Sequence, residues 1–438
     1  MARKSGKLGE ILSVFDELDI KISDISTNDG FIYELIAGAK AIPDPRHPSY
    51  IRHLLEDIVM ICLFAILADC DEWEEFADFA VEKEKWLRKY LELPNGAPSA
   101  DTIRVVISSI DTRHFHQMVM NNLMRILDGI YQCLSQENPS KNILSMDGKE
   151  SRGSKRNATD VAGKTALHAL NLYSMDYGFC VGQEFIADKS NEIPAGPLLL
   201  ERMNLKDCVV TWDALNTQVK TVAAVIKGNG DYVAALKENH PLFYQEVKEF
   251  FTKEELENLK ASPINYKKTI EKEHGGAAVR EYYLTAETEW YEDRKKWEKM
   301  NVIGVVKKTL IMKNGEQKKE ERYYFSSLPV DIDLFENATR GHWGVENCLH
   351  WHLDFTFKDD RNTTTERNGA KNLQILKKIS LSILRMVQTL YGQSLKRIRK
   401  TIARNCEKEL DNILSAISKD AIKEAIYIKQ VYIEGVKK

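Results

Sequence analysis

Apolar side chains recur at helical spacing at Leu54, Ile58, Ile61, Cys62, Phe64 and Ala65, and again at Trp73, Phe76, Phe79 and Ala80. That periodicity predicts two successive helices. Pro94-Asn95-Gly96 marks a turn, and Pro98-Ser99-Ala100-Asp101-Thr102 has the form of a cap opening a helix through Val105, Val106 and Ile110. Residues 1–43 read as a leader of mixed charge, and 44–138 as a helical N-terminal domain.

The texture changes after Lys141. Short β-rich runs appear at Ile143–Asp147, Ala166–Tyr173 and Phe179–Ile186, followed by a helix near Pro197–Met203. Cys208–Asp213 reads as a strand, Thr217–Lys227 as a helix and Tyr232–Leu236 as a strand. Three β runs leading into alternating helices and strands predict an α/β fold with a mixed sheet flanked by helices. Further strands at Val279–Thr285, Asn301–Ile311 and Arg322–Leu328 predict a β-rich insert at about 253–330 within a domain of 139–395. From Leu334 the pattern is helical again, and 396–438 forms a basic helical tail.

Composition narrows the class without naming a function. With 43% hydrophobic and 29% charged residues, the chain is globular and neither disordered nor fibrous. A net charge of −3 does not by itself announce a nucleic-acid binder, so charge has to be read segment by segment. The seven cysteines are scattered with no C-x-x-C pair, which argues against a disulfide framework or zinc knuckle and for a reducing, cytoplasmic setting. The apolar stretch Ile58–Ala68 is about half the length of a membrane span, and no secretory signal is visible.

Asp147 ends the apolar run Ile-Leu-Ser-Met-Asp, and Asp213 ends Val-Val-Thr-Trp-Asp. Acids at the carboxyl ends of neighbouring strands share one sheet edge, where α/β folds build their sites. Such a pair can hold Mg²⁺, and two ions roughly 3.5–4 Å apart serve phosphoryl transfer. The competing reading for either acid alone is a turn cap. His342, Glu346, His350 and Asp354 recur every fourth residue in a helical pattern, either as a ligand surface or as a solvated face opposite a Trp-rich stripe. Zinc is disfavoured, since there is no H-E-x-x-H or cysteine partner.

Taken together these segments resemble the ISAs-type insertion-sequence transposases, also seen as H-repeat-associated proteins, within the DDE superfamily. The resemblance runs from about Asp44 to about Leu390. It rests on Asp44-Pro-Arg, Leu93-Pro-Asn-Gly-Ala-Pro-Ser-Ala-Asp-Thr, Met146-Asp-Gly-Lys-Glu-Ser-Arg-Gly-Ser, Asp188-Lys-Ser-Asn-Glu-Ile-Pro-Ala and Thr211-Trp-Asp-Ala. Asp231-Tyr-Val-Ala-Ala-Leu-Lys-Glu-Asn-His-Pro and Arg340-Gly-His-Trp-Gly-Val-Glu-Asn-Cys-Leu-His-Trp complete it. It implies an RNase H-like catalytic core and a metal-binding trio of Asp147, Asp213 and Glu346, using Mg²⁺ or Mn²⁺ as two ions. It further implies cutting of element ends and strand transfer into target DNA. The wider superfamily often carries Tyr and Arg seven and four residues before the Glu; here Thr339 and His342 stand there.

Double-stranded DNA is therefore the expected partner, with a homodimer bringing two element ends together and no membrane association. Lys149 and Arg152 beside the first acid, Lys189 and Asn191, Lys237 and Asn239 after the next strands, and Arg340 and His342 are candidate DNA contacts. From Arg367 to Arg404 there are ten Lys or Arg and no acid, centred on Lys396, Arg397, Arg399 and Lys400, which suits a phosphate backbone. The helical N-terminal domain is the natural end-recognition module, with a helix opening at Pro98–Thr102 as its recognition candidate. Two rivals stand beside this reading: another RNase H-like nuclease without strand transfer, and a non-catalytic DNA-binding remnant of an element.

Overall fold

Strand β4 (Cys208–Trp212) is apolar at nearly every position and buried along its whole length. A strand with no polar face must be covered on both sides, which is the condition of a central strand in a parallel array. β4 lies between β1 (Asn142–Ser151) and β5 (Asp231–Leu236), parallel to both. In the computed structural model, which describes residues 31–113, 115–116, 141–154, 166–175, 178–187, 190–273 and 276–416, two compact units can be told apart.

The first unit comprises 140–149 and 168–349. It is built on one sheet of nine strands in the order β3-β2-β1-β4-β5-β9-β8-β7-β6. The first five, with β2 (Leu167–Ser174) antiparallel to β3 (Phe179–Phe185) and β1, β4 and β5 parallel, form the RNase H-like core. The insert strands β6 (Tyr266–Glu273), β7 (Gly276–Thr285), β8 (Val302–Ile311) and β9 (Gln317–Ser326) continue the same sheet as an antiparallel meander joined through β9 to β5. At the far edge β6 alternates exposed with half-buried positions and carries three lysines and two glutamates, which blunts an otherwise open edge.

The helix Ile332–Gly341 closes one core. Its Ile332, Phe335 and Ala338 pack on Ile143, Val209, Val233, Tyr282, Leu284 and Val302. Gly304 of β8 permits this, because a Cβ there would stand 2.6 Å from the Phe335 ring. The helix is also pinned to β1, where the Ser145 hydroxyl donates to the Gly341 carbonyl at 3.0 Å. The helices Glu192–Leu200 and Val219–Lys227 pack on each other and reach β3 and β5 respectively.

The second unit is helical and includes the described residues of 31–116, 150–167 and 350–416. The helix Leu55–Leu67 is buried at every position but Glu56, and the long helix Arg367–Tyr391 packs against it and against Ala100–Ser109. Among the described residues no helix is long and apolar enough to cross a membrane. Arg399 sits at 0% exposure at the centre of this unit. Its Nε and Nη2 donate to the Ile66 carbonyl at 3.0 and 2.7 Å, and its Nη1 donates to that of Thr356. Asp69 and Asp71 lie 3.2 and 3.1 Å away, and the guanidinium covers the Phe357 ring. The cation thus adds donors at the carboxyl end of the helix Leu55–Leu67, where a positive charge complements the helix dipole.

The basic run therefore divides. Lys377 is buried 3.7 Å from Asp359, and the buried Lys378 donates to Gln374 Oε1 at 3.0 Å. These two and Arg399 are internal charges with partners inside the unit, so the expectation that Arg399 contacts DNA is corrected. Removing one partner of a buried charge set leaves the rest uncompensated, at a cost of about 3–5 kcal/mol. Arg399→Ala should accordingly lower the melting temperature sharply and shift the urea midpoint downward. An unchanged midpoint would show that the network contributes nothing to the fold.

Candidate active site

Register alone brings two acids together. Met146 pairs with Trp212 across β1 and β4, so Asp147 and Asp213 are the next residues on two adjacent parallel strands. β1 continues as strand through Ser151, whereas the chain after β4 turns into the one-turn helix Ala214–Asn216. Asp213 caps that turn: its Oδ1 accepts from the Asn216 backbone N–H at 3.3 Å and from Asn216 Nδ2 at 3.2 Å. Asp147 Oδ1 accepts from the Gly148 N–H at 2.9 Å. Behind Asp213, Trp212 is fully buried, stacks on Tyr232 and donates to the Thr217 hydroxyl at 3.1 Å.

Glu346 arrives from the other end of the unit. It opens a π-helical turn, Glu346–His350, after the helix Ile332–Gly341 has ended. A carboxylate oxygen of Glu346 lies within 4.8 Å of one of Asp147. The segment Glu346–His350 is a π turn, so the residues from His342 to Asp354 do not form one continuous α-helix.

A fourth acid joins them. Glu192, in the first turn of the helix Glu192–Leu200, accepts from Asn216 Nδ2 at 2.8 Å and stands 3.1 Å from His168 Nε2. In the sequence Glu192 stands only as a member of the run Asp188-Lys-Ser-Asn-Glu-Ile-Pro-Ala. The usable signal was Gly148, one residue after Asp147: a Cβ there would stand 2.5 Å from the Glu192 carboxyl carbon. Burial raises the Asp147 pKa to about 7, and the charges of Glu192, Asp213 and Glu346 add to the rise while the Gly148 hydrogen bond opposes it.

The other sequence candidates fall into distinct roles. Lys149 is buried at 6% exposure and presents little to a DNA backbone, which corrects that expectation. Burial pushes His342 down to about 4, with Arg322 and Lys237 adding to this and Asp213 opposing. It is uncharged near neutral pH, so any contact it makes with a phosphate is as a neutral hydrogen-bond donor. Asn191 caps its helix by accepting from the Ile193 N–H at 3.1 Å, and Asn239 Nδ2 donates to the Ala214 carbonyl at 2.6 Å, bracing the loop of Asp213. Arg340 pairs with Glu271 at 2.6 Å and lines a cleft of about 700 Å³ with Arg280, Arg322, Trp343 and Glu346. Lys237 and Arg152 are exposed, the latter 3.9 Å from Asp360. Lys189 lies outside the described residues. Lys396, Arg397 and Lys400 are exposed and, with Arg404, line a cleft of about 390 Å³ in the helical unit.

The model of the transposase DDE domain matches residues 138–383, and that of the DDE_Tnp_1-associated domain matches 39–122. The chain belongs to the DDE transposase family. This transposase is 32% identical to YncI of Escherichia coli O157:H7, named as a transposase, over 85% of this chain and 93% of that protein. It is 30% identical to YhhI of Escherichia coli K12, named as an H repeat-associated transposase, over 80% of this chain and 90% of that one. Among solved structures, a piggyBac transposase synaptic complex with hairpin DNA aligns over 93% of this chain and 84% of that one. Its TM-score is 0.34 at 12% identity, too low to carry any inference.

The raised Asp147 pKa has a consequence for stability. Between about pH 4 and pH 7 the folded transposase keeps a proton on Asp147 that the unfolded chain has released. Stability therefore falls as pH rises through that window, and the penalty is complete above pH 7. In chelator, Asp147→Asn should melt a few degrees above the parent at pH 8, on a scale of about 2–4 °C per kcal/mol, and the gap should close toward pH 4. Equal melting temperatures at pH 8 would contradict the charge crowding.

Proposed function

We propose that this transposase cuts DNA at the ends of its element and transfers the cut strands into target DNA by phosphoryl transfer, with Asp147, Asp213 and Glu346 holding a pair of Mg²⁺ or Mn²⁺ ions. The observation that carries this reading is the placement of Asp147 and Asp213 as neighbours on adjacent parallel strands, with the Glu346 carboxylate brought beside Asp147. The donors suit a hard divalent cation, since all are carboxylate oxygens. Burial raises the Asp147 pKa and the charges of Glu192, Asp213 and Glu346 add to it, and a cation would neutralise that added charge. When bound, such ions supply Lewis-acid charge at the attacking and leaving oxygens of the phosphodiester.

The chain's own residues prepare that site. Asn216 holds Asp213, the Gly148 N–H holds Asp147, and the buried Trp212 fixes the end of β4. In the cut a water oxygen replaces the leaving oxygen on phosphorus and frees a hydroxyl end; in joining that hydroxyl replaces another, one phosphodiester forming as one breaks, so joining needs no external energy source. Double-stranded DNA is the partner this activity requires. The exposed Lys396, Arg397 and Lys400 in the helical unit, and Lys237 in the sheet unit, are the cations offered to its phosphates. Two copies acting on two element ends complete the proposal.

The test is a joining reaction with a pre-cut element end and plasmid target in Mg²⁺. The parent should produce joined product, and Asp213→Asn should lose cleavage and joining by at least about a thousandfold while retaining DNA binding in chelator. Cleavage without joining by the parent would instead favour a nuclease that does not transfer strands.

A further inference from the structure

We propose that Glu192 is a fourth acid of the metal site, held as a positioning residue by Asn216 and His168, and that it strengthens divalent-cation binding by Asp147 and Asp213. This rests on the function proposed above. The argument begins with Asn216, which is 1% exposed. Its backbone N–H and its side-chain amide both serve carboxylates: the N–H goes to Asp213 Oδ1, and Nδ2 goes to Asp213 Oδ1 at 3.2 Å and Glu192 Oε2 at 2.8 Å. An amide nitrogen has two hydrogens, so one side chain can hold two acids at a fixed spacing. On its other oxygen Glu192 meets His168 Nε2 at 3.1 Å, so both ends of the carboxylate are oriented.

The alternative is that Glu192 merely complements the helix dipole, as many acids in a first helical turn do. Two observations speak against it. Asn191 already caps this helix through the Ile193 N–H. The Glu192 side chain is only 14% exposed, whereas an acid serving the dipole alone has no reason to leave water. It is also seated against Gly148, where any side chain would collide with it, next to Asp147 in the chain. Cation affinity rises with the number of charged ligands and with the groups that orient them.

Glu192→Gln keeps the shape and removes the charge. Two quantities decide: Mn²⁺ affinity of the DNA-free protein by electron paramagnetic resonance, and the Mg²⁺ concentration for half-maximal cleavage. Both should weaken by about 10–100-fold in Glu192→Gln, with the metal-free melting temperature not lowered. Unchanged values in Glu192→Gln alongside lost Mn²⁺ binding in Asp213→Asn overturn the role of Glu192 and leave the site standing. Unchanged Mn²⁺ binding in both variants removes the metal site itself, and the inference with it. Should Glu192→Gln unfold, His168→Ala, which keeps the Glu192 charge and loosens it without touching the Asn216–Asp213 hydrogen bonds, reads the same two quantities: weakening supports the inference and parental values overturn it.

Discussion

Carboxylates brought together in a partly buried place repel one another, and the sheet unit is organised to hold them there. Asp147 and Asp213 cannot separate, because Met146 and Trp212 are locked in register on neighbouring parallel strands. β4 cannot slide, since it is buried along its whole length and its last residue stacks on Tyr232. Asn216 binds Asp213 and Glu192 through one side chain, and Asn239 supports the loop that follows Asp213. Burial raises the Asp147 pKa, and the neighbouring carboxylates add to that rise. Such stored cost is what a cation-binding site accepts before its cation arrives.

The sheet extension serves the same end. The meander of β6 to β9 adds four strands beyond β5, and the helix Ile332–Gly341 lies on the core formed by both old and added strands. That helix delivers the chain to the π turn where Glu346 begins. The insert is therefore part of the platform from which the third acid is presented, with Gly304 allowing Phe335 to approach the sheet.

Much of this was legible in the chain, and the failures have physical causes. Asp147 and Asp213 could be placed because an apolar run ending in an acid reads as a buried strand reaching a sheet edge. Glu346 could be placed only by resemblance, since a π turn has no periodic signature and interrupts the continuous helix that the four-residue stripe suggested. Glu192 escaped because an acid opening a helix is common, and its burial depends on Gly148 and Asn216, which come from other segments. The basic run misled at Arg399 and Lys377: charge counts do not show which cations face Asp69, Asp71 and Asp359 inside a unit. Lys396, Arg397 and Lys400 from the same run remain on the surface.

The central claim is that these strand-end acids and Glu346 share one cation site. Crystals grown with Mn²⁺ and measured at the manganese absorption edge test it most directly. The account predicts anomalous density bounded by the carboxylates of Asp147, Asp213 and Glu346. Manganese bound elsewhere, with none touching Asp147 and Asp213, would contradict it.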